Sequence, residues 1–196
     1  LDELEFHAAS RLCEMLGASL CFEENRKLET LSNRDWLTAG EAGFSFAREG
    51  REGVRAALRE FQRRYTDYSK SGNDGPQAIF GRFFKWAAFN CEGAAYSPIR
   101  DILHEHIVET MPIEPGTIVL GKAVERRKIH SVRRASQAIG AHPKQLRKIL
   151  KAIGALSPLD DDKLNAFAFF DGDQYADTLE DIRDAMPLRL ASEYLG

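Results

Sequence analysis

Residues 131–154 have the sequence SVRRASQAIGAHPKQLRKILKAIG. Two short amphipathic runs flank the tetrapeptide Gly140-Ala141-His142-Pro143, and this arrangement predicts two helices joined by a tight turn. Gly140 suits the positive φ that such a turn requires. Pro143 suits the first position of the second helix, where its missing N–H costs nothing. The pattern is typical of a helix-turn-helix.

Small and apolar residues occupy the offsets at which the two helices of a helix-turn-helix contact each other. Counting Val132 as the first position, the residues at positions 1, 4, 5, 8, 9, 10, 15 and 18 are Val132, Ala135, Ser136, Ile139, Gly140, Ala141, Leu146 and Ile149. The sequence therefore predicts that these residues join the two helices. The same spacing also fits a helical hairpin that serves packing alone.

The predicted second helix leaves a polar, mostly cationic set of residues facing outward: His142, Lys144, Gln145, Arg147, Lys148 and Lys151. Arg and Gln pair well with guanine and adenine edges, and Lys pairs well with phosphate. Contacts to the DNA backbone are expected from cations on and before the first helix: Arg133, Arg134, Arg126, Arg127 and Lys128. The sequence thus predicts binding to double-stranded DNA, with an affinity that falls steeply with salt.

The charge distribution supports this interpretation. Residues 122–151 carry ten Lys or Arg and one acid, Glu125, which amounts to +9, whereas the whole chain has a net charge of −3. Such separation favours one cationic face on an acidic body, as in nucleic-acid-binding proteins. The alternative is a solvated surface that is basic without binding anything.

The remaining sequence predicts a mainly α fold in two domains. Helical spacing of apolar residues runs through residues 1–16, 52–68, 77–89 and 99–110. After the breaker MPIEPG at 111–116 come short segments with strand character, at 117–120, 124–129 and 165–170, and a helix at 173–185. We therefore predict a helical domain over residues 1–113 and a small α/β, winged-like helix-turn-helix domain over 114–196.

A second helix-turn-helix is predicted to begin at residues 187–196. The C-terminal RLASEYLG, residues 189–196, repeats the pattern of RRASQAIG, residues 133–140. Arg, Ala, Ser and Gly coincide in the two segments. The simplest inference is that the natural protein continues and reads two adjacent DNA segments; the alternative is a chance similarity over eight helical residues.

Several functional classes are not indicated. The phosphate-loop, HExxH and GxSxG motifs are missing. His104 and His106 are two residues apart on a predicted helix, where side chains point about 200° apart. Asp171 and Asp173 suit helix capping rather than magnesium binding. We therefore predict no enzymatic activity, no metal site and no cofactor.

Cellular context follows from composition. The chain's three cysteines, Cys13, Cys21 and Cys91, form no CxxC pair and are expected to be thiols in a reducing cytosol. No run approaches the roughly 18 apolar residues that cross a bilayer. The N-terminal residues lack a signal-peptide pattern. The sequence thus predicts a cytoplasmic, nucleoid-associated protein with no membrane partner, and defines no oligomeric state.

Three consecutive segments resemble the TniQ/TnsD family of bacterial transposition proteins: GPQAIFGRFFKWAAFN (75–90), YSPIRDILHEHIVETMPIEPGTIVLGKAV (96–124) and ERRKIHSVRRASQAIGAHPKQLRKIL (125–150). The similarity covers roughly residues 44–196 and is clearest over 75–151. It implies target-site recognition through the helix-turn-helix residues named above, and recruitment of an AAA+ ATPase that regulates a transposase. Family members begin with a zinc module of Cys and His ligands, which this chain lacks, as in a fragment without that module.

Two other functions fit the same residues. A helical adaptor would bind a protein partner through its N-terminal half, with DNA contact secondary. A transcriptional regulator would use the same helix pair on DNA.

Overall fold

The computed structural model describes residues 4–68, 75–160, 163–166 and 168–185. Within these ranges the protein is mainly helical, with eight α-helices and two small two-stranded sheets. The predicted mainly α class is thereby confirmed. The chain divides into two compact units, one of Leu1–Glu109 with Thr117–Ala123 and one of Thr110–Gly116 with Val124–Gly196.

The helical part of the first unit is built from α1 (Phe6–Cys21), α2 (Asn33–Ala47), α3 (Gly50–Tyr68), α4 (Pro76–Phe89) and α5 (Ser97–Thr110). Helix α2 starts with a capping box: the Asp35 N–H donates to Ser32 Oγ, and the Ser32 N–H donates to the Asp35 carboxylate. The Ser32 N–H and, next, the Ser32 hydroxyl, which both donate to the Asp35 carboxylate, lower the pKa of Asp35.

Helices α1 and α2 are antiparallel and pack with their backbones in close contact. A Cβ placed on Gly17 would overlap the carbonyl oxygen of Ala39, and a Cβ on Gly43 would overlap that of Cys13. Both helices also bury small side chains, which allow a close approach: Ala8, Ala18, Ala39 and Ala47. Glycine is thus required at two positions where one helix crosses the other.

His104 and His106 are bound separately. His104 Nδ1 lies 3.0 Å from the Val119 carbonyl oxygen, and His106 Nε2 lies 3.0 Å from Gln62 Oε1. Burial, assisted by the cations of Arg55 and Arg59, lowers the pKa of His106 to about 4. In the described part of the chain, no three His, Cys, Asp or Glu side chains form a metal-binding group.

A hairpin of β1 (Ile118–Val119) and β2 (Lys122–Ala123) belongs to the first unit. Its turn uses Leu120 and Gly121, both with positive φ, which matches the twist of the strands. Sequence reasoning placed the returning strand at 124–129 and the hairpin in the second domain. The tight turn instead ends the hairpin at residue 123, and an ion pair of Lys122 with Asp101 (2.8 Å) ties it to α5.

The second unit contains β3 (Ile129–Ser131), α6 (Val132–Ile139), α7 (Pro143–Ala152), β4 (Phe169–Asp171) and α8 (Ala176–Asp184). Strands β3 and β4 are antiparallel, with His130 opposite Phe170. Their sheet and the three helices share one core, formed by Val132, Ala135, Leu146, Leu150, Leu156, Ala168 and Phe170 with Ile139, Ala155, Tyr175, Leu179 and Ile182 around it.

Two further predictions concern the last third of the chain. The strand expected at 165–170 is Phe169–Asp171. The predicted start of a second helix-turn-helix, at 187–196, lies outside the described residues.

Among the helices that are described, none has both the length and the apolar character needed to cross a bilayer.

Candidate nucleic-acid interface

The connection between α6 and α7 follows directly from local sequence. Ser131 caps α6, since its Oγ accepts from the Arg134 N–H. The helix ends at Gly140, which has φ 69° in the left-handed region, and the Ala141 N–H donates to the Ser136 carbonyl at 3.0 Å. His142 caps α7 through Nδ1, and Pro143 occupies its first turn. The predicted turn residues thus lie where the sequence placed them.

One predicted contact between the helices is wrong. Leu150, not Ile149, is the second core residue of α7: Leu150 is 0% exposed and Ile149 is 37% exposed. Residues advance by about 100° around a helix, so Leu150 lies about 40° from Leu146, whereas Ile149 lies about 60° away on the other side. Val132, Ala135 and Ser136 of α6 are buried as predicted.

The face of α7 opposite its core leucines carries a row of lysines. Lys144, Lys148 and Lys151, here called the lysine stripe, are all exposed and fall within about 60° of one another around the helix. Neither Lys144 nor Lys148 is paired with a carboxylate in the described part of the chain. Gln145 and His142 are exposed beside the stripe. Lys144 and Lys148 therefore remain available on this face, as the DNA-binding hypothesis requires.

Arg147 does not belong to this open face, although the sequence placed it there. Its Nη1 donates to the Lys163 carbonyl at 2.5 Å and to Asn165 Oδ1 at 2.9 Å, and its Nη2 donates to the Asp160 carbonyl. Arg147 is on the edge of α7 that faces the segment leading to β4. Its guanidinium therefore holds that segment rather than projecting into solvent.

The cations before α6 are paired with carboxylates of the same unit. Arg126 makes a two-pronged ion pair with Asp173, through bonds of 3.0 and 2.9 Å. Lys128 Nζ lies 3.5 Å from the Asp171 carboxylate. These two cations must leave a carboxylate in order to contact a phosphate.

Glu114 binds two of the predicted DNA-contact residues, Arg127 and Arg134. The Arg127 side chain is only 9% exposed, so the expectation that it faces DNA is wrong, whereas Arg134 is 58% exposed. Arg133, the remaining cation of this group, is exposed and makes no ion pair with any described residue.

Sequence reasoning missed the acidic partners of this surface. Glu114 belongs to the breaker before the first strand, Asp171 is the last residue of β4, and Asp173 follows that strand. The only signal available was the predicted strand before Asp171. Pairing that strand with the segment before α6 would have brought both aspartates near Arg126 and Lys128.

Comparisons with protein-family models, with curated proteins and with solved structures find no match for this chain. Its function is therefore inferred from the residues of this surface.

Proposed function

We propose that the chain binds double-stranded DNA, with α6 and α7 acting as a helix-turn-helix and the lysine stripe directed at the duplex. The observation that carries the proposal is the exposure of Lys144 and Lys148 on α7 with no described carboxylate partner. Three lysines share one side of a short helix, opposite the leucines that anchor it, and Lys144 and Lys148 have no carboxylate partner among the described residues. Uncompensated charge of this kind attracts phosphate.

The contacts of Arg147 narrow the set of residues that read bases. Because bonds to Lys163, Asn165 and Asp160 hold the Arg147 guanidinium within the unit, we assign base recognition to Gln145 and Lys148, which suit adenine and guanine respectively. Arg133, exposed near the start of α6, would hold a backbone phosphate. The β3–β4 sheet leads into α6 and packs on the same core, which suits a winged-like variant of the motif.

The biological role we infer is recognition of a target site in transposition, with an AAA+ ATPase regulator as protein partner. The support for this step is the resemblance of residues 75–151 to the TniQ/TnsD family. Transcriptional regulation would use the same DNA contacts. The measurements below test DNA binding, on which both roles depend.

A protein-binding adaptor is the second candidate function, and one feature of the first unit favours it. Phe6, Leu37 and Phe44 are 90, 66 and 51% exposed. They line a groove of about 820 Å³ between α1 and α2, whose charged lining residues are Glu14 and Glu41. A partner helix with an apolar face flanked by Lys or Arg suits such a surface.

Replacing Lys144 and Lys148 by Gln should weaken duplex binding about tenfold near 0.1 M salt. Because two phosphate contacts are lost, the slope of log K against log salt should also become shallower by about 2. Fluorescence anisotropy on a labelled duplex over a salt series measures both quantities. The double variant Arg34→Gln/Arg59→Gln removes the same charge from exposed positions of the first unit and should bind the duplex as the wild type does. Unchanged affinity and slope in the α7 variant would refute the proposal and favour the adaptor.

Replacing Glu114 by Gln should strengthen duplex binding about threefold. The substitution removes the carboxylate that neutralises Arg134, and the released guanidinium then adds about one phosphate contact to the salt slope. Glu49→Gln, an equal change of net charge in the first unit, is the matched control and should have no effect. Weaker binding by a folded Glu114→Gln variant would show that Glu114 positions the arginines for DNA rather than competing with it.

A further inference from the structure

A second concentration of positive charge lies in the first unit. A cleft of about 1010 Å³ is bounded by α1, α4 and the segment that joins α1 to α2. Its lining residues include five cations, namely Arg11, Arg26, Lys27, Arg82 and Lys85, against the two acids Glu24 and Glu29. In a chain with a net charge of −3, this local excess points to an anionic ligand.

The buried Arg82 side chain binds the segment that forms the rim of the cleft. The side chain is 7% exposed, and its Nη2 donates to the carbonyl oxygens of Glu23 and Arg26, the latter at 3.1 Å. These bonds hold the connecting segment and so place Arg26 and Lys27 at the rim. The other terminal nitrogen, Nη1, is buried without a hydrogen-bond partner among the described residues. Such an unused donor is uncommon in a folded protein.

The rim cations Arg11, Arg26 and Lys27 retain the capacity to bind an anion, whereas Lys85 must leave the Glu24 carboxylate, 3.7 Å from its Nζ, in order to do so. Arg11 and Arg26 each donate to one carboxylate, that of Glu14 and Asp35, through a single terminal nitrogen. A guanidinium carries five N–H donors, so each keeps donors for a ligand. Lys27 is exposed and forms no ion pair with the described residues.

Aromatic rings form the other part of the lining. The cleft is bordered by Trp36, Trp86 and Tyr96. The Arg11 guanidinium carbon lies 5.1 Å from the centroid of the Trp36 ring, and Trp86 and Tyr96 meet edge to face at 6.1 Å. Trp36 and Tyr96 are partly exposed, so that they offer surface on which a flat ring can pack.

We infer that this cleft binds a nucleotide unit, with the base against Trp36 and Tyr96 and the phosphate at Lys27, Arg26 and Lys85. The volume is adequate for a ligand of that size. The same chemistry is presented by a free mononucleotide and by an unpaired nucleotide of a DNA strand. The inference rests on the first unit alone and is independent of duplex binding by α7.

Intrinsic fluorescence provides a local readout, because the chain contains two tryptophans and both line this cleft. Titration with AMP, ATP or GTP should change the emission and saturate near or below about 1 mM. Adenosine and inorganic phosphate should each bind at least about tenfold more weakly, since each supplies half of the contacts. A short single-stranded oligonucleotide that binds much more tightly than AMP would identify a strand as the source; equal or weaker binding would identify the free nucleotide.

Two double variants complete the test. Lys27→Gln/Lys85→Gln should weaken nucleotide binding about tenfold without altering the unfolding transition, because both side chains are exposed. Lys144→Gln/Lys148→Gln should bind nucleotide like the wild type while losing duplex affinity. The inference is overturned if the folded wild type shows no saturable response to any nucleotide or oligonucleotide up to about 10 mM, or if the Lys27/Lys85 variant binds unchanged. Neither outcome bears on the lysine stripe.

Discussion

Replacing Gly43 by Ala should destabilise the first unit by at least about 4 kcal/mol, the largest effect expected of any single substitution considered for this chain. The added methyl group would overlap the backbone oxygen of Cys13 in α1. A backbone carbonyl inside a helix has no rotamer by which to move aside, so α1 and α2 would have to separate along their length. Urea unfolding followed by tryptophan emission measures the change, because Trp36 and Trp86 are both in this unit.

Gly40 supplies the matched control. It lies in the same helix, three residues from Gly43, and a Cβ added there would meet nothing within 4 Å. Gly40→Ala should therefore leave stability unchanged or raise it by up to about 1 kcal/mol, through the higher helix propensity of Ala. If the free energy of unfolding of Gly43→Ala is instead within about 1 kcal/mol of the wild-type value, the backbones of α1 and α2 are not in direct contact at Gly43.

Replacing Leu150 by Ala should destabilise the second unit by about 3 kcal/mol, whereas Ile149→Ala should cost less than about 1 kcal/mol. Leu150 is fully buried in the core of the second unit, so its truncation leaves a cavity there. Ile149, next to it in sequence, is 37% exposed. Amide hydrogen exchange of residues 129–152 measures the loss of stability in the second unit. Tryptophan emission does not, because both tryptophans are in the first unit.

The two substitutions also distinguish between an α7 that packs through Leu150 and one that packs through Ile149. Loss of protection in Leu150→Ala, with the tryptophan transition retained, is the result expected from the observed core. The reverse order of effects, with Ile149→Ala the more damaging, would mean that α7 is rotated by about 100°. Such a rotation would also turn the lysine stripe, and the DNA-binding proposal would then lose its geometric support.

The presence of two helices joined by a turn in residues 131–154 was predictable, because each signal acts over a few residues. Ser131 and His142 cap the helices they precede, and Gly140 adopts the left-handed conformation that few other residues accept. The choice between Ile149 and Leu150 was not predictable in this way. Both side chains are apolar and adjacent, and a period of 3.6 residues leaves either of them near the core face.

The lysines of the candidate site were predictable from local sequence, whereas the pairing of its arginines was not. Exposure of Lys144 and Lys148 follows from the position of the leucines on the same helix, which is a property of local sequence. The bonds of Arg147 depend on Asp160, Lys163 and Asn165. The neutralisation of Arg127 and Arg134 depends on Glu114. Charge counting along the chain treats all these cations as equivalent, because it contains no information about carboxylates brought near by folding.

Local sequence therefore suffices to specify a mainly helical chain with a capped helix pair and a cationic row on the second helix. Folding sets which cations stay available, which unit contains the hairpin of β1 and β2, and that Trp36, Trp86 and several cations line one cleft. Capping and periodicity act within one or two helical turns, and so are encoded locally. Ion pairing, packing and cavities join residues tens of positions apart, and exist only once the chain has folded.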